Sequence, residues 1–149
     1  MDAKQALAAE YAHMTESFKQ KDIGAIYRDQ MTLDYTMQHL EGPLWNRAEA
    51  ESHAATEMAW IKSVPEMTIE IEDLSVRGEQ AVATVHITAK AIVTHPQDPS
   101  KSDHTLTRDS TARHTWVHTA QGWKLQYAEV LSEAGTMDGH PFPGMLPPQ

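Results

Sequence analysis

Arg113 to Leu131, RHTWVHTAQGWKLQYAEVL, sets two runs rich in Thr, Trp, Val, Leu and Tyr on either side of Thr119-Ala120-Gln121-Gly122. Branched and aromatic side chains suit a pleated, half-buried surface, and a glycine closing a tight turn supplies backbone freedom that other residues lack. The stretch predicts a long antiparallel hairpin that ends a small, curved-sheet domain.

Working back toward the N-terminus, the pattern changes from strand to helix. Leu7, Tyr11, Met14 and Phe18 fall in one stripe at helical spacing over residues 2–20. Asp22 can cap a second, short helix to about Asp29 that buries Ile23, Ile26 and Tyr27. Leu33, Tyr35 and Met37 alternate with polar residues, as in a half-buried strand, before Glu41-Gly42-Pro43 turns the chain. Asn46 with Glu49 resembles a capping box opening a third helix to about Lys62, ended by Pro65. Met67, Ile69 and Ile71 begin a strand with one wet face. Arg77-Gly78-Glu79 turns into a longer strand from Ala81 to Thr94, and His95 to Asp103 reads as a polar loop. The order is helix, helix, strand, helix, then four strands: one α+β domain over residues 1–134. From Gly135 to residue 149, Gly and Pro dominate and the chain reads as a tail, with Phe142, Met145 and Leu146 its bulky apolar residues.

A loop centred near Pro99-Ser100 would put Thr84 opposite Thr115, His86 opposite Arg113, Thr88 opposite Thr111 and Lys90 opposite Asp109, giving a polar outer face. The inner face then carries Ala83, Val85, Ile87, Ala89 and Ala91 beside Trp116, His114, Ala112 and Ser110. The last hairpin adds Leu125, Tyr127 and Glu129 to that face. Small residues inside a strongly curved sheet leave room for a pocket between sheet and helices. One bulge would reverse the parity beyond it.

Composition narrows the partners. A chain of 149 residues with 40% apolar content can build one sizeable core. A formal charge of -9 with scattered acidic residues argues against nucleic acid and anionic membrane surfaces as partners. No apolar run is long enough to span a bilayer and no signal peptide is visible, so a cytoplasmic protein is expected. The chain has no Cys, which removes disulfides, thiolate nucleophiles and Cys-ligated zinc. Its nine His residues include no HxH or HExxH spacing, so no metal site is expected.

The element order, Asp34-Tyr35 leading to Gly42, and the W-x-x-x-x-x-G-W pattern of Trp116, Gly122 and Trp123 resemble the nuclear transport factor 2-like superfamily, in its SnoaL-like and ketosteroid-isomerase-like branch. The similarity covers about residues 3–133. It implies a cone-shaped α+β fold of three helices, in which a strongly bent, mostly antiparallel sheet wraps the N-terminal helix around a pocket. It also implies a homodimer through the outer sheet face. The fold hosts enzymes and binding modules alike, so function rests on the site. Against ketosteroid isomerases, which this chain resembles around Asp22 to Ile26, the helix-one Tyr falls on Met14. The proton-abstracting Asp falls on Gln38 or His39, and the second Asp lands near Arg113 or His114. Scytalone dehydratase is similar around Thr32 to Trp45 and matches Tyr35, but its helix-one Tyr-Asp pair falls on Phe18-Lys19. Limonene epoxide hydrolase resembles the fold only.

The expected catalytic set is His114, Glu129 and Tyr127 on the inner face. An imidazole with an ordinary pKa near 6.5 beside a phenol and a carboxylate can move protons. The competing reading of His114 is a satisfied core histidine, and the end of a last strand is often wet. Tyr11, Met14, Phe18, Tyr35, Met37 and Trp116 are the expected ligand-binding residues, the tyrosines as hydrogen-bond donors and the methionines as soft walls. Asp34 is expected to face outward. The expected ligand is a small hydrophobic molecule, polycyclic or aromatic. The expected chemistry is cofactor-free isomerisation, cyclisation or dehydration, with a non-catalytic binding or dimerisation module as the alternative.

Overall fold

The first helix, α1 (Ala3–Lys19), starts where the Asp2 side chain accepts from the Gln5 amide, and the Gln5 side chain accepts in return from the Asp2 amide. In this computed structural model, which describes residues 2–94, 100 and 102–141, α2 (Ile23–Asp29) follows under an Asp22 cap. Then come β1 (Met31–Gln38), β2 (Leu44–Asn46) and α3 (Arg47–Trp60). Asn46 and Glu49 close both bonds of the capping box that opens α3. Five more strands follow among the described residues: β3 (Ile61–Arg77), β4 (Gln80–Thr94), β5 (Asp103–Thr119), β6 (Gly122–Met137) and β7 (His140–Pro141). Gly122, at φ +99, closes the β5–β6 hairpin in a region that disfavours any residue with a Cβ.

The architecture is α+β. Three helices pack on a seven-stranded sheet of order β2-β1-β6-β5-β4-β3, with β7 on β6. All pairings are antiparallel except β1 with β6. Leu7, Tyr11 and Met14 of α1 are buried with Ile26, Tyr35, Val85, Trp116 and Leu125 in the main core. Leu33 leaves the predicted alternation: it is 89% exposed, at a register shift between Met31 and Thr36. Asp34 faces outward as expected, accepting from Gln126. Among the described residues, no helix is long and apolar enough to cross a membrane.

Three differences from the sequence reading have local causes. Helix α3 stops at Trp60 rather than Lys62, and Pro65 lies inside β3, an edge strand on which a missing amide is tolerated. The β4–β5 register is displaced by two residues, so Thr84 pairs with Arg113 and Lys90 with Thr107. An even displacement keeps every side chain on its predicted face. Asp109 consequently meets His86 at 2.8 Å rather than Lys90. Finally, β6 continues through Gly135 to Met137, and Asp138-Gly139 turns into β7, where a tail was expected. Residues 95–99 and 101 of the expected loop lie outside the described residues, as do Phe142, Met145 and Leu146 of the expected tail.

Two bulges in β6 decide what the sheet presents to its inside. Trp116 pairs with Leu125 but Thr115 with Tyr127, so Gln126 is the extra residue. Ala112 pairs with Val130 but Thr111 with Ser132, so Leu131 is the second. Each bulge reverses parity. The inner face of β6 therefore runs Leu125, then Ala128 and Val130, then Glu133.

Candidate functional site

Between the inner sheet face and the helices lies a cavity of about 250 Å³, walled chiefly by apolar side chains. Met14 and Phe18 of α1, Tyr35 and Met37 of β1, and His114 of β5 all line it, as the sequence predicts. Tyr11 and Trp116 stand behind His114 rather than on the wall, both fully enclosed. Tyr127 and Glu129 are not on the inner face. The first β6 bulge turns both outward, where Glu129 accepts from Arg113 at 3.1 Å on the exposed side of the sheet. They take no part in the cavity.

His114 sits in a buried chain of hydrogen bonds. Trp116 Nε1 donates to Tyr11 Oη at 2.9 Å, and Tyr11 Oη lies 2.7 Å from His114 Nδ1. The indole can only donate, so Tyr11 accepts from it; if Tyr11 donates in turn to Nδ1, both its proton and Nδ1 have a partner and the His114 proton is on Nε2. The Tyr11 and His114 rings lie nearly parallel at 5.7 Å, and Trp116 meets Tyr11 edge-on at 5.3 Å. Burial lowers the His114 pKa to about 4 and raises that of Tyr11, so at neutral pH both are uncharged. His114 is thus neutral at neutral pH, where the sequence reading gave it an ordinary pKa near 6.5.

A second polar set, absent from the sequence reading, lines the same cavity. On α3, His53 and Glu57 are one helical turn apart, flanked by Ala50, Ala54 and Met58. Arg108 of β5 reaches Glu57 Oε2 at 3.7 Å and Glu133 Oε1 at 3.3 Å. His39, just after β1, packs against Trp45 with ring centroids 4.1 Å apart, and Trp45 stacks on His53 at 3.8 Å. Burial raises the Glu57 pKa to about 7; Arg108 lowers it and Glu133 raises it by smaller amounts. The Glu57 pKa is thus raised toward neutrality, the range in which a carboxyl group can both take up and release a proton. Among the described residues, no three His, Asp or Glu side chains are placed to hold a metal ion.

Arg108 was legible, since it shares the parity of His114 on β5. Glu57 was marked by its place on the small-residue stripe of α3. Glu133 was not legible, because two bulges separate it from the hairpin turn.

No protein-family model matches the chain, and no curated protein matches it. Solved structures do. A candidate scytalone dehydratase from Novosphingobium aromaticivorans aligns with TM-score 0.75 and 12% identity over 97% of this chain and 91% of that one. An NTF2-like protein from Cytophaga hutchinsonii aligns with TM-score 0.68 and 11% identity over 87% and 98%. A candidate aromatic ring hydroxylase, also from Novosphingobium aromaticivorans, aligns with TM-score 0.65 and 14% identity over 91% and 96%. Identities this low speak to the fold and not to the reaction. With its bent sheet closed over three helices, the chain has the nuclear transport factor 2-like fold.

Proposed function

We propose that the protein binds a small, largely apolar molecule, aromatic or polycyclic, and moves a proton on it without a cofactor, in an isomerisation, cyclisation or dehydration. The observation that carries this reading is one apolar cavity holding both a carboxyl group poised near neutrality, Glu57, and a neutral imidazole held by Tyr11 and Trp116. Ionised Glu57 takes a proton from carbon. The electron pair left behind moves through the conjugated body of the substrate to an oxygen held by His114 Nε2–H. Because His114 is neutral, it stabilises that oxygen as a hydrogen-bond donor without giving up its proton. Protonated Glu57 then returns the proton to a second carbon or to a departing hydroxyl. The name of one structural neighbour, a candidate aromatic ring hydroxylase, fits an aromatic ligand, and that of another, a candidate scytalone dehydratase, fits a dehydration.

One observation favours a second reading, a binding module without turnover. Gln38, one of the two positions (with His39) on which the isomerase comparison places a catalytic Asp, donates its amide to the carbonyls of His39 and Gly42. Both readings share the cavity. Thermal-shift and native mass measurements against steroids, polyketides, terpenes and phenols test it. Stabilisation or retention confined to one chemical class is expected; no effect from any class would contradict an open ligand cavity.

A further inference from the structure

His114 and Ser110 both face the cavity from β5, four residues apart, which on an extended strand is a Cα separation of about 13 Å. Ala112 stands between them, with Val85 of β4 and Val130 of β6 as its register partners, so the floor between the two polar side chains is apolar. Ser110 is 8% exposed and His114 6%. Among the described residues, Ser110 Oγ and His114 Nε2 have no hydrogen-bond partner, and neither belongs to the partnerless atoms that lack accessible surface, such as Glu133 Oε1 and His39 Nε2. Each therefore keeps accessible surface, and because both side chains line the cavity, that surface opens into it. Arg108, the next inward-facing residue of β5, reaches Glu57 Oε2 at 3.7 Å, which puts Ser110 at the Glu57 end of the cavity. Buried polar atoms are nearly always hydrogen-bonded, so a hydroxyl left open on an apolar floor marks a place where an occupant completes the bond.

We propose that Ser110 binds a second oxygen of the ligand, a hydroxyl or a carbonyl, at the end of the cavity opposite His114, so that the occupant is an aromatic or polycyclic molecule oxygenated at both ends. The proposal rests on the ligand reading given above and sets the spacing of the ligand's oxygens. A serine hydroxyl donates and accepts, so it takes either kind of oxygen, whereas His114 Nε2–H only donates. Two fused aromatic rings with an oxygen at each far end, and a hydrogen bond beyond each oxygen, span about 13 Å, which matches the separation along β5. Two oxygens on neighbouring carbons at one end of the rings reach only one of the two atoms. Held at both ends, the ligand lies along β5 with its carbon skeleton under α3, the helix that carries Glu57.

Three bicyclic probes test the spacing: 2-naphthol, 2,3-dihydroxynaphthalene and 2,6-dihydroxynaphthalene, titrated into the purified protein at pH 7 by calorimetry. The 2,6-diol is expected to bind about tenfold tighter than either of the others, because it alone engages both atoms. Ser110→Ala is expected to cut that advantage to less than about threefold and to leave 2-naphthol binding unchanged. Either 2-naphthol or the 2,3-diol binding the wild-type protein as tightly as the 2,6-diol overturns the proposal, with no variant needed. Ser110→Ala keeping the tenfold advantage also overturns it, by placing the second oxygen elsewhere. In each of these cases the probes still bind and the ligand cavity stands. Failure of all three probes to bind overturns the cavity reading itself, and this contact with it.

Discussion

Glu57→Gln is expected to stabilise the protein at pH 8 by about 2–3 kcal/mol and to leave it nearly unchanged at pH 4, where the wild-type carboxyl is protonated whether folded or unfolded. The sign follows from the direction of the shift. The folded-state pKa is raised from an ordinary 4.5 to about 7, chiefly by burial. Folding therefore favours the protonated acid, and that contribution, complete below pH 4.5, is lost as the pH rises through 7. Above that value the wild-type protein holds a buried carboxylate that Arg108 stabilises only in part. Glutamine keeps the shape and removes the charge. Urea unfolding of both proteins at pH 4, 6 and 8 measures the difference, and equal destabilisation of the variant at every pH would mean that Glu57 is an ordinary ion-pair partner of Arg108. His114 contributes with the opposite sense. Its pKa is depressed from 6.5 to about 4 by burial, so its share of stability is present above pH 6.5 and is lost as the pH falls through 4.

The second large effect is at Trp116. Trp116→Ala empties a fully buried site and is expected to cost about 3–5 kcal/mol, the usual range for deleting a large core aromatic. Tyr11→Phe isolates the hydrogen-bond part of that loss. It keeps the ring but leaves the Trp116 Nε1–H and His114 Nδ1 buried without their partner, at about 1–3 kcal/mol for each unsatisfied group. Chemical denaturation gives both numbers, and nitrogen NMR of His114 adds a reading of the mechanism. The wild-type ring is expected as the Nε2–H tautomer, and Tyr11→Phe is expected to release that preference. An Nδ1–H tautomer in the wild-type protein would contradict the donor role assigned to His114.

Much of the fold was legible because local signals agreed with one another. The stripe of Leu7, Tyr11 and Met14, the Asn46–Glu49 box and the hairpin closing at Gly122 all form as their residue types dictate. The β4–β5 faces survived an error of two residues in register because side-chain direction depends only on parity. The same rule explains the principal failure. Gln126 and Leu131 are each an extra residue in β6, and neither carries a sequence signal, such as Gly, that marks it as a bulge. Glu129 and Tyr127 were therefore read as inward when they face solvent, and Glu133 passed unnoticed. The pKa of His114 was misjudged for another reason. Desolvation depends on everything that closes over the ring, including Tyr11, far away in sequence.

The most direct test of the central claim, that this cavity moves protons on its ligand, is exchange of ligand carbon-bound hydrogen with solvent. A ligand found by the thermal-shift panel is incubated with the protein in heavy water, and its C–H signals are followed by NMR. Deuterium is expected to enter one position of the ligand with the wild-type protein and with Glu129→Gln, whose side chain lies on the outer face, and at least 100-fold more slowly with Glu57→Gln. Exchange that continues unchanged in Glu57→Gln, or tight binding with no exchange in the wild-type protein, would contradict the account.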